Sequence, residues 1–146
     1  MSKIFKGTLL LLVGMLLLSG CVSNKITVTI DPTFDITHLK SMHVIKHDAD
    51  KRGINIVIAD KLKNMGYSVT TGVSPASDVE FIVTYKDKWM WDITTFMFEL
   101  TITIRDSKTD FPLASGNSLR TSLTRESPEK MVDEVLTNIF KQGGKL

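Results

Sequence analysis

Two consecutive runs of alternating apolar residues constrain the fold of this chain more than anything else in it. In the first run Val79, Phe81, Val83 and Tyr85 fall on odd positions; in the second Phe96, Phe98, Leu100, Ile102 and Ile104 fall on even ones. Successive side chains of a strand point to opposite faces, so each run buries one face and leaves the other to water. If the runs form a hairpin whose buried faces coincide, paired residues must have numbers with an odd sum. Pairing Val79 with Ile104, Phe81 with Ile102, Val83 with Leu100 and Tyr85 with Phe98 meets that condition. It places Trp91 and Asp92 at the turn and Trp89 opposite Thr94, on the core side near the tip. A β-bulge would break the parity.

The remaining elements are shorter. Ile26 to Ile30 alternates like a half-buried strand and stops at Asp31-Pro32; Met42 to Lys46 is a second strand. Asp50 can cap a helix with apolar positions Ile54, Val57, Ile58, Leu62 and Met65, ended by Gly66. Tyr67 to Thr71 is a third strand, and residues 72–78 form a loop. After the polar turn 107–110, Phe111 to Leu123 can add a further antiparallel strand, although Ser115, Gly116 and Asn117 interrupt its pattern. The last helix is clearly written: Ser127 at the N-cap, Pro128 next, Glu129 in the first turn, and a stripe of Met131, Val132, Val135, Leu136, Ile139 and Phe140 before Gly143-Gly144. The expected class is α+β: a largely antiparallel sheet of five or six strands with two helices packed on one face, and one parallel pairing from the β-α-β section 42–71.

The chain starts differently. Lys3 and Lys6 precede the apolar block Thr8 to Leu18, and the uncharged stretch from Gly7 to Gly20 is 14 residues. A bilayer-spanning helix needs roughly 20, so an export signal is the better reading than a permanent span. The sequence Leu18-Ser19-Gly20-Cys21 resembles the lipobox of bacterial lipoproteins, in which the cysteine is acylated and becomes the new N-terminus. The resemblance implies a signal peptide at 1–20, a lipidated N-terminus and short tether at 21–25, and a single domain at 26–146. It also implies membrane attachment through the acyl chains on Cys21. In Gram-negative lipoproteins an aspartate after the cysteine favours the inner membrane; Val22 stands there, which implies the outer membrane, facing the periplasm.

Composition fits such a domain. Cys21 is the sole cysteine, so no disulfide is available and the core alone must hold the fold. From 21 to 146 the chain has 126 residues, enough for one core. Beyond Lys3 and Lys6, basic and acidic side chains balance and no run of like charge occurs, which argues against a nucleic-acid partner.

Little in the sequence points to chemistry. His43, His47, Asp48 and Asp50 are the one grouping of metal-ligand types. Along a strand, however, the two histidines stand about 13 Å apart at ~3.3 Å per residue, too far to share one ion. His38 reads as a surface loop residue. No Gly-x-Ser-x-Gly elbow and no phosphate-binding glycine loop occur. An acylated Cys21 is a thioether and no nucleophile. Asp78 and Glu80 share a strand face, but the solvated one. The expectation is a protein that is not an enzyme and carries no cofactor and no metal site.

Trp89, Met90 and Trp91, flanked by Lys86 and Lys88, are the candidate contact residues. In one reading the two tryptophans close the end of the core; in the other they form an exposed aromatic tip that meets a protein partner or the lipid headgroups. The element order resembles a group of uncharacterised bacterial lipoproteins with a single α+β domain, similar in shape to the amino-terminal domain of the periplasmic Tol translocation protein. The residues that carry this are "DPTFDIT" at 31–37, "DVEFIVTY" at 78–85 and "LTITIRDSKTDFPLASG" at 100–116. It implies an envelope role without catalysis and transfers no functional residue. The expected function is that of a non-enzymatic, lipid-anchored lipoprotein that binds or assembles other envelope components through the tip or a free sheet edge. The alternative is a small ligand-binding module for an envelope lipid or glycan, with Ser115 and Asn117 as polar points in an apolar pocket.

Overall fold

The computed structural model describes residues 24–144 apart from 75, so Cys21 and the stretch 1–20 lie outside the described residues. The strands are β1 (Lys25–Ile30), β2 (Ser41–Ile45), β3 (Ser68–Gly72), β4 (Phe81–Asp92), β5 (Thr94–Asp106) and β6 (Pro112–Leu119). The helices are α1 (Ile54–Asn64) and α2 (Pro128–Gln142), with short 3-10 turns at Ile36–His38 and Ser122–Thr124. All six strands join one sheet in the order β1-β6-β5-β4-β2-β3. The pairs β1–β6, β6–β5 and β5–β4 are antiparallel, whereas β2 runs parallel to both β4 and β3. This is the expected α+β class. The section 42–71 makes two parallel pairings instead of one because β2 lies between β3 and β4.

Both helices cover the same face of the sheet. α2 begins as its sequence requires: Ser127 accepts a hydrogen bond from the Lys130 amide, Pro128 follows, and all six residues of the apolar stripe are fully buried. It packs on β1, β5 and β6, while α1 packs on β2 and β3. The Gly116 interruption in β6 marks the close approach of α2, since a Cβ there would stand 2.8 Å from Val135 Cγ1 and 3.0 Å from Ile139 Cδ1. α1 is capped from a distance. Gly53 takes φ 73° at its N-cap, and the Asp50 side chain, three residues ahead, receives the free amides. Gly66, at φ 95°, ends the helix in the left-handed region.

The opposite face is polar and satisfies itself. Thr103 and Ser115 hydroxyls lie 3.0 Å apart, Asn117 donates to Thr101 at 2.8 Å and Glu99 at 3.0 Å, and Lys88 reaches Glu99 at 2.6 Å.

The hairpin needs a correction. Val83 pairs with Ile104, Tyr85 with Ile102 and Asp87 with Leu100, a slip of four residues from the expected register. Val79 precedes the strand. Parity survives, so Val83, Tyr85, Leu100, Ile102 and Ile104 do share the core face. Parity by itself does not distinguish registers that differ by an even number of residues; the position of the turn does, and it falls at Ile93 between the paired Asp92 and Thr94. A bulge between Lys88 and Trp89 then adds one residue on β5, so Trp89 pairs with Met97 rather than Thr94. Past the bulge Met97 takes the core position, Phe98 is half-buried, and Phe96 lies under the Arg125 guanidinium at 4.6 Å. Two further expectations shift. β6 ends at Leu119, not Leu123, and Asp78 and Glu80 are exposed in the turn before β4 rather than on a strand.

Candidate functional site

At the upper end of β4 two tryptophans lie two residues apart, and their surroundings differ completely. Trp89 belongs to a braced cluster. Its indole N–H donates to Asp87 Oδ2 at 2.6 Å, the other oxygen of Asp87 meets His47 Nε2 at 2.9 Å, and the Arg52 guanidinium lies 4.0 Å over the indole ring. One step further in, Asp50 accepts from the amides of Arg52, Gly53 and Asn55 and from the Tyr85 hydroxyl at 2.6 Å. Burial alone would raise the Asp50 carboxyl, but the Tyr85 hydroxyl and the backbone amides outweigh it and hold the group at about 2. The same pair raises the Tyr85 hydroxyl, first through burial, then through its hydrogen bond to Asp50 and that carboxylate's charge. These groups are consumed in tying the loop after β2, the start of α1 and β4 to one another.

Trp91 faces solvent. It is 76 % exposed, Met90 is 47 % exposed, and Ile93 at the turn is 85 % exposed with φ 60°. A β-branched residue is strained in the left-handed region, which favours glycine or asparagine. The tip is held from one side by Arg125, which donates to the Asp92 carbonyl at 2.8 Å, the Asp92 carboxylate at 3.2 Å and Thr94 Oγ1 at 2.6 Å. That fastening brings the turn carrying Leu123, 82 % exposed, alongside the hairpin. Four of the seven exposed large apolar side chains among the described residues therefore belong to one end of the molecule.

Of the three candidate contact residues, Met90 and Trp91 are at the surface and Trp89 is part of the brace. Trp89 closes the end of the core, whereas Trp91 stands exposed at the tip. Ile93 and Leu123 were not legible as surface residues: isoleucine is a strand former, and Leu123 sat in an apparent strand. Cys21 lies outside the described residues. The metal-type grouping disperses, because β2 ends before His47, Asp48 is exposed, and His43, His47 and Asp50 each find a separate partner. His43 is buried with Nδ1 2.7 Å from Thr70 Oγ1, while His47 goes to Asp87 and Asp50 to the helix start. Among the described residues no group of three or more His, Cys, Asp and Glu is placed to hold a metal ion. Asn117 is engaged in the polar ladder. Ser115 lines a cleft of about 380 Å³ with Ile30, Pro32, Pro112 and Leu113. No helix among the described residues is long and apolar enough to cross a membrane.

No protein-family model matches the sequence, and no curated protein matches it either. Solved structures do match. A PelC dodecamer from Paraburkholderia phytofirmans superposes with a TM-score of 0.56 at 10 % identity, covering 85 % of this chain and 100 % of that one. TolB from Acinetobacter baumannii gives 0.50 at 12 % identity over 82 % of this chain and 32 % of its own. A minor lipoprotein from Acinetobacter baumannii gives 0.35 at 14 % identity over 70 % and 89 %. At these identities the likeness to PelC and TolB is one of fold. It agrees with the shape expected from the element order.

Proposed function

We propose that this protein is a non-catalytic lipoprotein, acylated at Cys21 and held at the outer membrane on the periplasmic side, that binds another envelope protein by strand addition at β1. The observation that carries the reading is the free rim of β1. The strand stands at the edge of the sheet and bonds only to β6. The Asp31 amide donates to the Leu113 carbonyl, so by alternation the backbone groups of Ile26, Val28 and Ile30 turn to the outer rim. Edge strands are usually blunted by proline, bulges or charge. "KITVTI" has one lysine, at its first position, and is otherwise rich in strand formers. What supports a non-catalytic role is that the ionisable groups nearest the core are engaged as braces.

A photo-crosslinker at Thr27, on the exposed side of the edge, tests the partner in living cells against a matched probe at the exposed Lys108. A discrete adduct from 27, absent from 108 and weakened by Thr29→Lys, is the expected outcome; Thr29 faces water, so the fold tolerates the lysine. No adduct from 27 in a folded, membrane-bound protein would reject strand addition. The anchor is tested separately: Cys21→Ser is expected to release the chain from the outer-membrane fraction.

A further inference from the structure

Backbone pairing sets Lys25, Leu119, Glu99 and Lys88 in one row across four neighbouring strands. From that row β1 runs away from the hairpin tip, so the chain before Lys25 leaves the sheet on the tip side. β4 continues four residues past the row to Asp92, about 13 Å at ~3.3 Å per residue. The chain between Lys25 and Cys21 also has four residue steps, a reach of at most about 14 Å. The anchor point and the tip can therefore arrive at the same plane. At that plane the tip presents Met90, Trp91 and Ile93, with Leu123 beside them, all open to solvent.

We propose that this tip is a second membrane contact, seated among the lipid headgroups on the same leaflet that holds the acylated Cys21; the proposal rests on the anchor reading above. A lipid surface fits these residues better than a protein groove does. An indole is favoured at the interface between hydrocarbon and water, and Met90 and Ile93 flank it with apolar surface. Acyl chains and tip together fix the orientation of the domain. One attachment leaves a domain free to swivel on its tether; two attachments on one side hold the sheet upright, with the rim of β1 facing sideways along the membrane. The conformation of Ile93 points the same way. A strained isoleucine that is 85 % exposed gains no burial within the fold, whereas insertion would bury it.

The test uses the full chain, exported and matured in bacteria, then reconstituted into vesicles of phosphatidylethanolamine and phosphatidylglycerol. These are prepared with and without phosphatidylcholine brominated near the top of its acyl chains. Bromine is expected to lower the tryptophan emission of the wild type by about half, as for an indole at headgroup depth, and to leave Trp91→Phe, whose only indole is the braced Trp89, little changed. Ile93→Gly is expected to reduce the quenching without disturbing the fold. Equal quenching of wild type and Trp91→Phe, or none in either, overturns the proposal. Intact mass of the same samples reads acylation independently. An acylated, folded protein without Trp91 quenching sinks the tip and leaves the anchor standing. Quenching in a protein without acyl mass rejects the anchor reading and keeps the tip as a membrane contact. An unquenched Trp91 with blue-shifted emission in a sample that sediments as a dimer assigns the tip to a second copy instead and overturns the bilayer contact.

Discussion

Trp89 and Trp91 are the same residue type on the same strand, on the same face, two positions apart. One is held by Asp87, Arg52 and the core, and the other is 76 % exposed. The difference lies in what stands opposite. At position 89 the loop after β2 and the start of α1 still extend far enough to supply Arg52 and, through His47, to fix Asp87. Two residues on, the hairpin has outrun both helices, and only the turn held by Arg125 accompanies it. Burial in a sheet protein is set by the reach of the covering layer, not by the strand's own alternation.

The largest test of this contrast is Trp89→Ala. It removes a half-buried indole, its hydrogen bond and its cation-π partner, and is expected to lower stability by about 2–3 kcal/mol, somewhat under the range for fully buried aromatics. Urea denaturation measures it; a loss equal to that of Trp91→Ala would show that the brace is not structural. Next comes acid. The Asp50 carboxyl is lowered in the folded state, so its contribution is present above its ordinary value near 3.8 and disappears as the pH falls from there through about 2. The expected loss is about 2 kcal/mol, since each tenfold difference in proton affinity between the folded and unfolded chain is worth roughly 1.4 kcal/mol. The pH dependence of Asp50→Asn should be shallower by that amount over the same interval. At the tip the sign reverses: Ile93→Gly is expected to raise stability by about 0.5–1 kcal/mol, because glycine accepts the left-handed turn that isoleucine resists. A thermal melt decides it, and a fall in Tm would show that Ile93 packs within the fold. The smallest effect belongs to Trp91→Ala, expected to stay within about 0.5 kcal/mol of wild type in the same denaturation, as for surface changes away from packed features.

α2 was legible from its cap, its proline and its stripe because all three are local and agree. The hairpin was legible as a hairpin, and its core face as a face. Its register was not, because periodicity repeats every two residues and the bulge at Lys88/Trp89 has no local marker. Gly116 read as a fault in a strand and proved to be the point where a helix presses closest. In the candidate site, Trp91 and Met90 were visible as apolar residues at an end. Ile93 was hidden because a β-branched residue gives no turn signal, and Leu123 because a polar turn with one leucine resembles a fading strand.

By itself the sequence determined the α+β class, the two amphipathic helices, and which residues of β4 and β5 face inward below the bulge. Each of these depends on the order of neighbouring residues, and short-range stereochemistry reads that order directly. Tertiary structure alone decided the strand order, the second parallel pairing and the separate fates of the two tryptophans. It also decided that the first residue of β1 and the apolar tip lie toward the same end of the sheet. Those outcomes depend on contacts between segments at opposite ends of the chain, such as Lys25 with Leu119, and local propensity carries no information about which distant strand lies alongside.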